Sequence, residues 1–169
     1  MPSVQITGTG QLLELSRRLK TAGGPRLRAN LARRIRRAAE PMHRDLQQSI
    51  TGLQITSQSR RAGKRGGPSP TTRPLRAGIA AAIRISVRTG ANPGARVWVD
   101  PSRLPSGVTM GVVARLNEGR LRHPVFGNDS RWVQQNAAPG WWTKTAARHT
   151  PRMRAEVERV LNDVRNSLT

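Results

Sequence analysis

The 169-residue sequence contains no cysteine, no tyrosine and a single phenylalanine, and its acidic residues number only nine. Without cysteine, disulfide bonds, cysteine-ligated zinc sites and thiol nucleophiles are excluded. Hydrophobic residues make up 36% of the chain and aromatic residues 3%, so its core has to consist mainly of aliphatic side chains and alanine. No apolar run approaches the roughly 18 residues that span a bilayer, and the first ten residues lack the pattern of a signal peptide. We therefore expect a soluble protein that has no membrane partner.

Positive charge is in large excess. Thirty Lys and Arg residues against nine Asp and Glu residues give a formal net charge of +21, and Lys20, Lys64 and Lys144 are the only lysines. Such a surface attracts polyanions, and the planar guanidinium group of arginine suits phosphates and carboxylates. A G+C-rich genome would explain the choice of arginine over lysine equally well. It does not explain the excess of positive over negative charge.

The patterns that mark catalytic and metal sites are missing from the sequence. His43, His123 and His149 show neither HxxxH nor HExxH spacing, which leaves a metal site unsupported. The acids lie mostly singly among arginines, and Glu156 and Glu158 are spaced for pairing within their own helix. No phosphate-binding or dinucleotide-binding glycine motif is present. The sequence therefore predicts a protein that is not an enzyme and needs no cofactor.

The clearest periodic signal lies between residues 25 and 50. Apolar residues recur there every three or four positions, which predicts a long amphipathic helix. Pro41 falls inside the pattern, so we expect it to kink the helix or split it in two. The opposite face is strongly basic, and it is either an ordinary solvated face or, as we favour, a contact for a polyanion or an acidic partner. The candidate contact residues on this helix are Arg33, Arg34, Arg36 and Arg37.

Residues 51–74 are rich in Gly, Ser, Thr, Pro and basic residues, which predicts a long, flexible, basic loop. Arg60, Arg61, Lys64 and Arg65 place four charges within six residues of it. These four are further candidates for polyanion or partner contact, because such a segment can become ordered on DNA or on a neighbouring subunit. A plain flexible linker is the alternative interpretation.

The remaining sequence patterns, together with the long helix and the loop, predict a single α+β domain over residues 1–169. Alternating residues in 83–88 and 95–99 predict a β-hairpin, and we expect its small antiparallel sheet to pack against the long N-terminal helix and a C-terminal helix. Residues 119–140 read as irregular, and only Trp132 and Val133 are compatible with a strand. Pro151 is expected to divide the C-terminal helix from a preceding segment that carries tryptophans. Shorter elements are predicted as a strand at 4–7 and helices at 11–20, 75–82 and 108–117.

Three of the four tryptophans lie between Trp132 and Trp142. They form either a stacking platform for bases or a part of the core or of a subunit interface. We favour the core or a subunit interface for Phe126, Trp132, Trp141 and Trp142. Platforms for single strands usually spread aromatic residues across a sheet face instead of placing them before a helix.

The segment GRLRHPVFG at 119–127, followed by WVQQ at 132–135 and PGWW at 139–142 before a long helix, resembles a phage protein family. This is the tail-completion family of long-tailed bacteriophages, also called head–tail joining or minor tail proteins, in the version common among phages of actinobacteria. The resemblance implies a small α+β domain that forms a ring at the neck and carries no catalytic residues.

The implied partners are further copies of the chain, six of them to match a tail tube, together with the head–tail connector or stopper and the tail tube proteins. Non-specific contact with genomic DNA in the channel is also implied. The expected location is the neck of the virion, after assembly in the host cytoplasm. A tail terminator that caps the tube and a basic nucleic-acid-binding protein are the alternatives.

Overall fold

The computed structural model describes residues 3–7, 25–57, 75–90, 93–125 and 128–166. These ranges contain four helices and six strands, and a short 3-10 turn at Pro101–Arg103 follows the fourth strand. In chain order the elements are β1 (Ser3–Thr7), α1 (Pro25–Thr51), β2 (Ile55–Ser57), α2 (Leu75–Ala82), β3 (Ile83–Arg88), β4 (Gly94–Val99), α3 (Met110–Asn117), β5 (Arg120–Val125), β6 (Asn128–Ala137) and α4 (Thr143–Asn166).

The first sheet has the strand order β1-β4-β3, and both of its pairings are antiparallel. Its central strand buries Ala95, Val97 and Val99, whereas the alternate residues Arg96 and Trp98 are only half-buried. Helix α1 packs on β3 and β4, and α4 packs on α1 and β1. The two long helices thus cover one face of the sheet, and the predicted α+β architecture is confirmed.

Helix α1 is amphipathic as its sequence pattern predicts. Its six buried residues recur at three- and four-residue steps, and each is at most 1% exposed; they are Leu31, Ile35, Ala39, Met42, Leu46 and Ile50. The helix continues through Pro41 as one element, so the predicted split is wrong, and the kink that was its alternative stays a prediction. Proline removes one backbone hydrogen bond, but buried side chains on both sides of Pro41 hold the two halves on the same core.

Helix α4 also continues through its proline, Pro151, and the predicted division of this helix is wrong as well. Buried residues again lie on both sides of the proline, with Ala146 before it and Met153 after it. Trp141 and Trp142 precede the helix in a turn and do not form a separate helical segment.

Residues 119–140, predicted to be irregular, contain β5 and β6, which form a second antiparallel sheet together with β2, in the strand order β2-β6-β5. The glycines with positive φ in this region, Gly119 (φ +84) and Gly140 (φ +91), lie outside the hairpin strands and mark their entry and exit. Strand β2 falls within the predicted loop 51–74, so that part of the prediction is wrong. The rest of the basic loop and the predicted helix at 11–20 lie outside the described residues.

Trp141 and Trp142 lie in the core, each 3% exposed, with their ring centroids 5.7 Å apart and the ring planes at 85°. The side-chain oxygen of Asn117, the last residue of α3, accepts hydrogen bonds from the backbone N–H groups of Trp142 (2.9 Å) and Thr143 (3.2 Å). The Ser49 hydroxyl of α1 donates to the carbonyl of Trp141 at 3.0 Å. This corner therefore connects α1, α3 and the start of α4.

Candidate polyanion-binding surface

The outer face of α1 carries a row of exposed arginines. Arg26, Arg33, Arg37 and Arg44 are separated by seven, four and seven residues, so they lie along one line of the helix, opposite the buried stripe. Arg36 is exposed beside this line. We call these five residues the arginine stripe. Since the core fixes the opposite face of α1, the stripe is held on a rigid element and faces solvent.

The predicted contact residues on α1 differ in their surroundings. Arg34 is half-buried and forms an ion pair with Asp163 of α4. Arg33, Arg36 and Arg37 are exposed, and within the described ranges no carboxylate lies at ion-pairing distance from any of them. Three of the four predicted residues therefore present a charge that an external anion can neutralise, whereas Arg34 contributes to the packing of α1 on α4.

A groove of about 420 Å³ runs between α1 and α4. Arg37 lines it from α1 and Arg152 from α4, and Met42 and Met153 are among its apolar lining residues. Glu156, the carboxylate that lines the groove, pairs with Arg159 at 2.8 Å. Because guanidinium groups bind phosphate and carboxylate groups through paired hydrogen bonds, the groove has the chemistry of an anion site.

A hydrogen-bonded cluster around Asp45 fixes the two helices that form the groove. The Nε2 atom of His149 donates to the Asp45 carboxylate at 2.7 Å, and Arg148 donates to the same oxygen at 3.0 Å. The hydrogen bond from His149 is the main cause that lowers the pKa of Asp45, against the opposing effect of burial, and the charges of His149 and Arg148 lower it further. Contacts of Arg34 with Asp163, Asp45 with His149 and Ser49 with Trp141 show that α1 and α4 run antiparallel.

The structure places the tryptophans that were predicted for the core or a subunit interface in different surroundings. Trp141 and Trp142 lie in the core, but Trp132 is 48% exposed on β6, so its placement in the core is wrong; its role in a subunit interface stays a prediction. The alternation of β6 turns Trp132 outward. The side chain of Phe126 and the loop residues Arg60, Arg61, Lys64 and Arg65 lie outside the described part of the chain.

Other chemistry has little support in the described ranges. His43 donates to the carbonyl of Ile83 at 2.9 Å and thereby links α1 to β3. Within the residues that the structure describes, no group of three or more His, Cys, Asp and Glu side chains is arranged to hold a metal ion. None of the described helices is both long and apolar enough to cross a membrane.

No family model, no curated protein and no solved structure matches this chain. The resemblance to phage tail-completion proteins therefore stays a prediction, drawn from the motifs between residues 119 and 142.

Sequence reasoning did not identify three arginines that contribute to basic surfaces. Arg152 joins the groove because α4 lies antiparallel to α1, and no local pattern indicates which helix faces meet. Arg120 and Arg122 lie on the outer face of the second sheet together with Trp132. The alternation of Arg120, Leu121 and Arg122 is a signal for that strand, but it is short and is followed by Pro124.

Proposed function

We propose that this chain is a structural protein of the phage neck. In this proposal it forms a ring, with six copies to match the tail tube, and acts as a tail-completion or head–tail connector component that joins the head connector to the tail. The observation that supports a structural, anion-facing role best is the arginine stripe. Its residues Arg33, Arg36 and Arg37 have no carboxylate partner among the described residues.

At low salt, the charge of the chain makes external partners necessary for such a ring. Copies that each carry +21 repel one another at low salt, so a ring requires acidic neighbours or DNA phosphates to offset the charge. From Arg26 to Arg44 the stripe extends over about 27 Å at the rise of an α-helix. A rigid cationic line of this length can contact either an acidic protein surface or the phosphates of a passing duplex without reading its sequence.

The test is sedimentation velocity with negative-stain microscopy of the purified chain at about 0.05 to 0.5 M salt, since screening weakens the repulsion over this range. We expect closed rings of one size as salt rises. A monomer at every salt concentration would contradict the proposal.

A gel-shift series with duplex DNA separates the alternatives. Tight, steeply salt-dependent binding by the isolated monomer favours the basic nucleic-acid-binding protein. Weak binding together with ring formation favours a neck component. A separate binding assay then identifies the tail terminator, whose ring should bind isolated tail tubes in preference to head connectors. The arginine stripe is tested by the triple variant Arg33→Gln with Arg36→Gln and Arg37→Gln. This variant should weaken DNA retention more than a control that removes the same charge elsewhere, Arg84→Gln with Arg88→Gln and Arg154→Gln.

A further inference from the structure

The outer face of the second sheet is an open surface that the proposed function does not use. Arg122 pairs with Gln134 and Arg120 with Asn136 across β5 and β6, so these four side chains project from the same face as Trp132. All five are exposed. Thr56 of β2, which pairs with Asn136, is exposed too. We call these six residues the sheet-2 face.

A tryptophan and an arginine are stacked on the sheet-2 face. The guanidinium carbon of Arg122 lies 5.1 Å from the ring centroid of Trp132, within the range of a cation–π contact. Even with this contact, 48% of Trp132 is exposed. The pair therefore presents an indole and a planar guanidinium group together on an accessible surface.

The charges around this pair favour an anionic ligand. A concave region of about 740 Å³ adjoins Trp132 and is lined by Arg115, Arg120 and Arg122. Glu118 is the only acidic residue that lines it. Three cationic groups against one carboxylate give the region an excess of positive charge, and none of the three arginines forms an ion pair with a carboxylate in the described ranges.

The side chains of the sheet-2 face match a nucleic acid better than a protein. The centre of a protein interface is enriched in apolar contacts around its tryptophan. The described side chains of this face are instead an indole, two guanidinium groups, two amides and a hydroxyl. Sheet surfaces that bind single-stranded nucleic acid combine aromatic stacking with cationic groups and with side chains that hydrogen-bond to base edges.

We propose that the sheet-2 face binds single-stranded nucleic acid. A base stacks on the Trp132 and Arg122 pair, the amides of Gln134 and Asn136 hydrogen-bond to base edges, and Arg115 and Arg120 contact the adjoining phosphates. Stacking on Trp132 requires a base that is free of its neighbours in a duplex, so the ligand is a single strand. This site is separate from the arginine stripe and does not depend on ring formation.

The experiment measures fluorescence anisotropy of a labelled oligothymidylate of about 12 nucleotides, a typical site size, with the full-length chain over about 50 to 300 mM salt. Trp132→Ala should weaken binding by about 5- to 100-fold, because one base–aromatic stack is lost, and should leave the salt dependence unchanged. Arg115→Gln with Arg120→Gln should reduce the slope of log K against log salt by about 1.4, since two phosphate contacts are lost. The control pair, Arg84→Gln with Arg154→Gln, removes the same charge elsewhere and should leave the slope unchanged.

Two further ligands, a DNA duplex and polyglutamate, show whether the sheet-2 face prefers a single strand to a duplex or to an acidic protein segment. A duplex of equal length should bind wild-type and Trp132→Ala protein alike. If Trp132→Ala binds oligothymidylate as well as the wild type, or if the two arginine pairs reduce the slope equally, the proposal is overturned. Polyglutamate tests the alternative that the sheet-2 face binds an acidic protein segment. The proposal is also overturned if polyglutamate displaces the oligonucleotide from wild-type protein and binds Trp132→Ala several-fold more weakly than the wild type. The comparison of arginine pairs decides the question if Trp132→Ala misfolds.

Discussion

Truncating the tryptophans at the corner between α3 and α4 should destabilise the protein strongly. Trp141 and Trp142 are each 3% exposed, and replacing such a residue by alanine costs about 3 to 5 kcal/mol of unfolding free energy, because a large buried side chain is lost and a cavity remains. The two rings also contact each other edge to face, a geometry that contributes about 0.5 to 1.5 kcal/mol beyond burial.

The double variant, Trp141→Ala with Trp142→Ala, should cost less than the sum of the single variants by about that coupling energy, because each single variant already breaks the ring contact. The remaining loss is still about 5 to 9 kcal/mol, which is comparable with the whole stability of a typical domain, about 5 to 15 kcal/mol. We therefore expect the single variants to fold with reduced stability and the double variant to be largely unfolded.

Urea unfolding followed by far-ultraviolet circular dichroism measures these losses independently of tryptophan fluorescence. Trp132→Ala is the matched control, since it deletes the same side chain from a half-exposed position and should cost only about 1 kcal/mol, chiefly through its contact with Arg122. If Trp141→Ala and Trp142→Ala cost as little as this control, the corner does not contribute to the core in the way described. If the losses of the two single variants add up to the loss of the double variant, the energetic coupling of the two rings is contradicted, whereas their burial in the core is not.

Two other changes test the helix pair and the second sheet. The pKa of Asp45 is lowered in the folded state, so its contribution is fully present above about pH 4 and is lost as pH falls through the folded pKa. Asp45→Asn should therefore lower stability by roughly 1 kcal/mol at pH 7 and much less near pH 2, and an equal loss at both pH values in urea unfolding would refute this. Gly119 has φ +84, and an added Cβ would lie 2.7 Å from the carbonyl oxygen of Ala137, so Gly119→Ala should cost about 2 kcal/mol or more. Gly90→Ala, where a Cβ meets open space, should shift the thermal midpoint far less.

The first sheet and the long helices could be predicted from sequence because their signals are local. Six buried residues of α1 repeat with helical spacing, and the hairpin of β3 and β4 alternates over consecutive residues. The second sheet had no comparable signal. Strand β2 pairs with β6 across about eighty residues, Ile55 with Ala137, and this pairing is invisible to any local window. The predicted breaks at Pro41 and Pro151 do not occur, because packing on both sides of each proline outweighs one lost hydrogen bond.

The exposed arginines of α1 could also be predicted, since a helix that buries one face exposes the other. The ion pair of the half-buried Arg34 could not be predicted. Arg34 meets Asp163, 129 residues away, and only the antiparallel packing of α1 and α4 brings these residues together. The exposed position of Trp132 could not be predicted, because β6 carries polar residues on both faces, as at Gln134 and Gln135, so the alternation that turns Trp132 outward is weak in the sequence.

The antiparallel arrangement of α1 and α4 also determines how the protein responds to mechanical force. Pro25 and Asn166 lie at the same end of the helix pair, beyond the contact of Arg34 with Asp163. Tension between these two residues would peel the helices apart turn by turn, so each contact would bear the load in succession. Tension between Pro25 and Thr143, at opposite ends, would shear every contact at once. The pair therefore resists stretching along its axis and yields to opening from the end that carries Pro25 and Asn166.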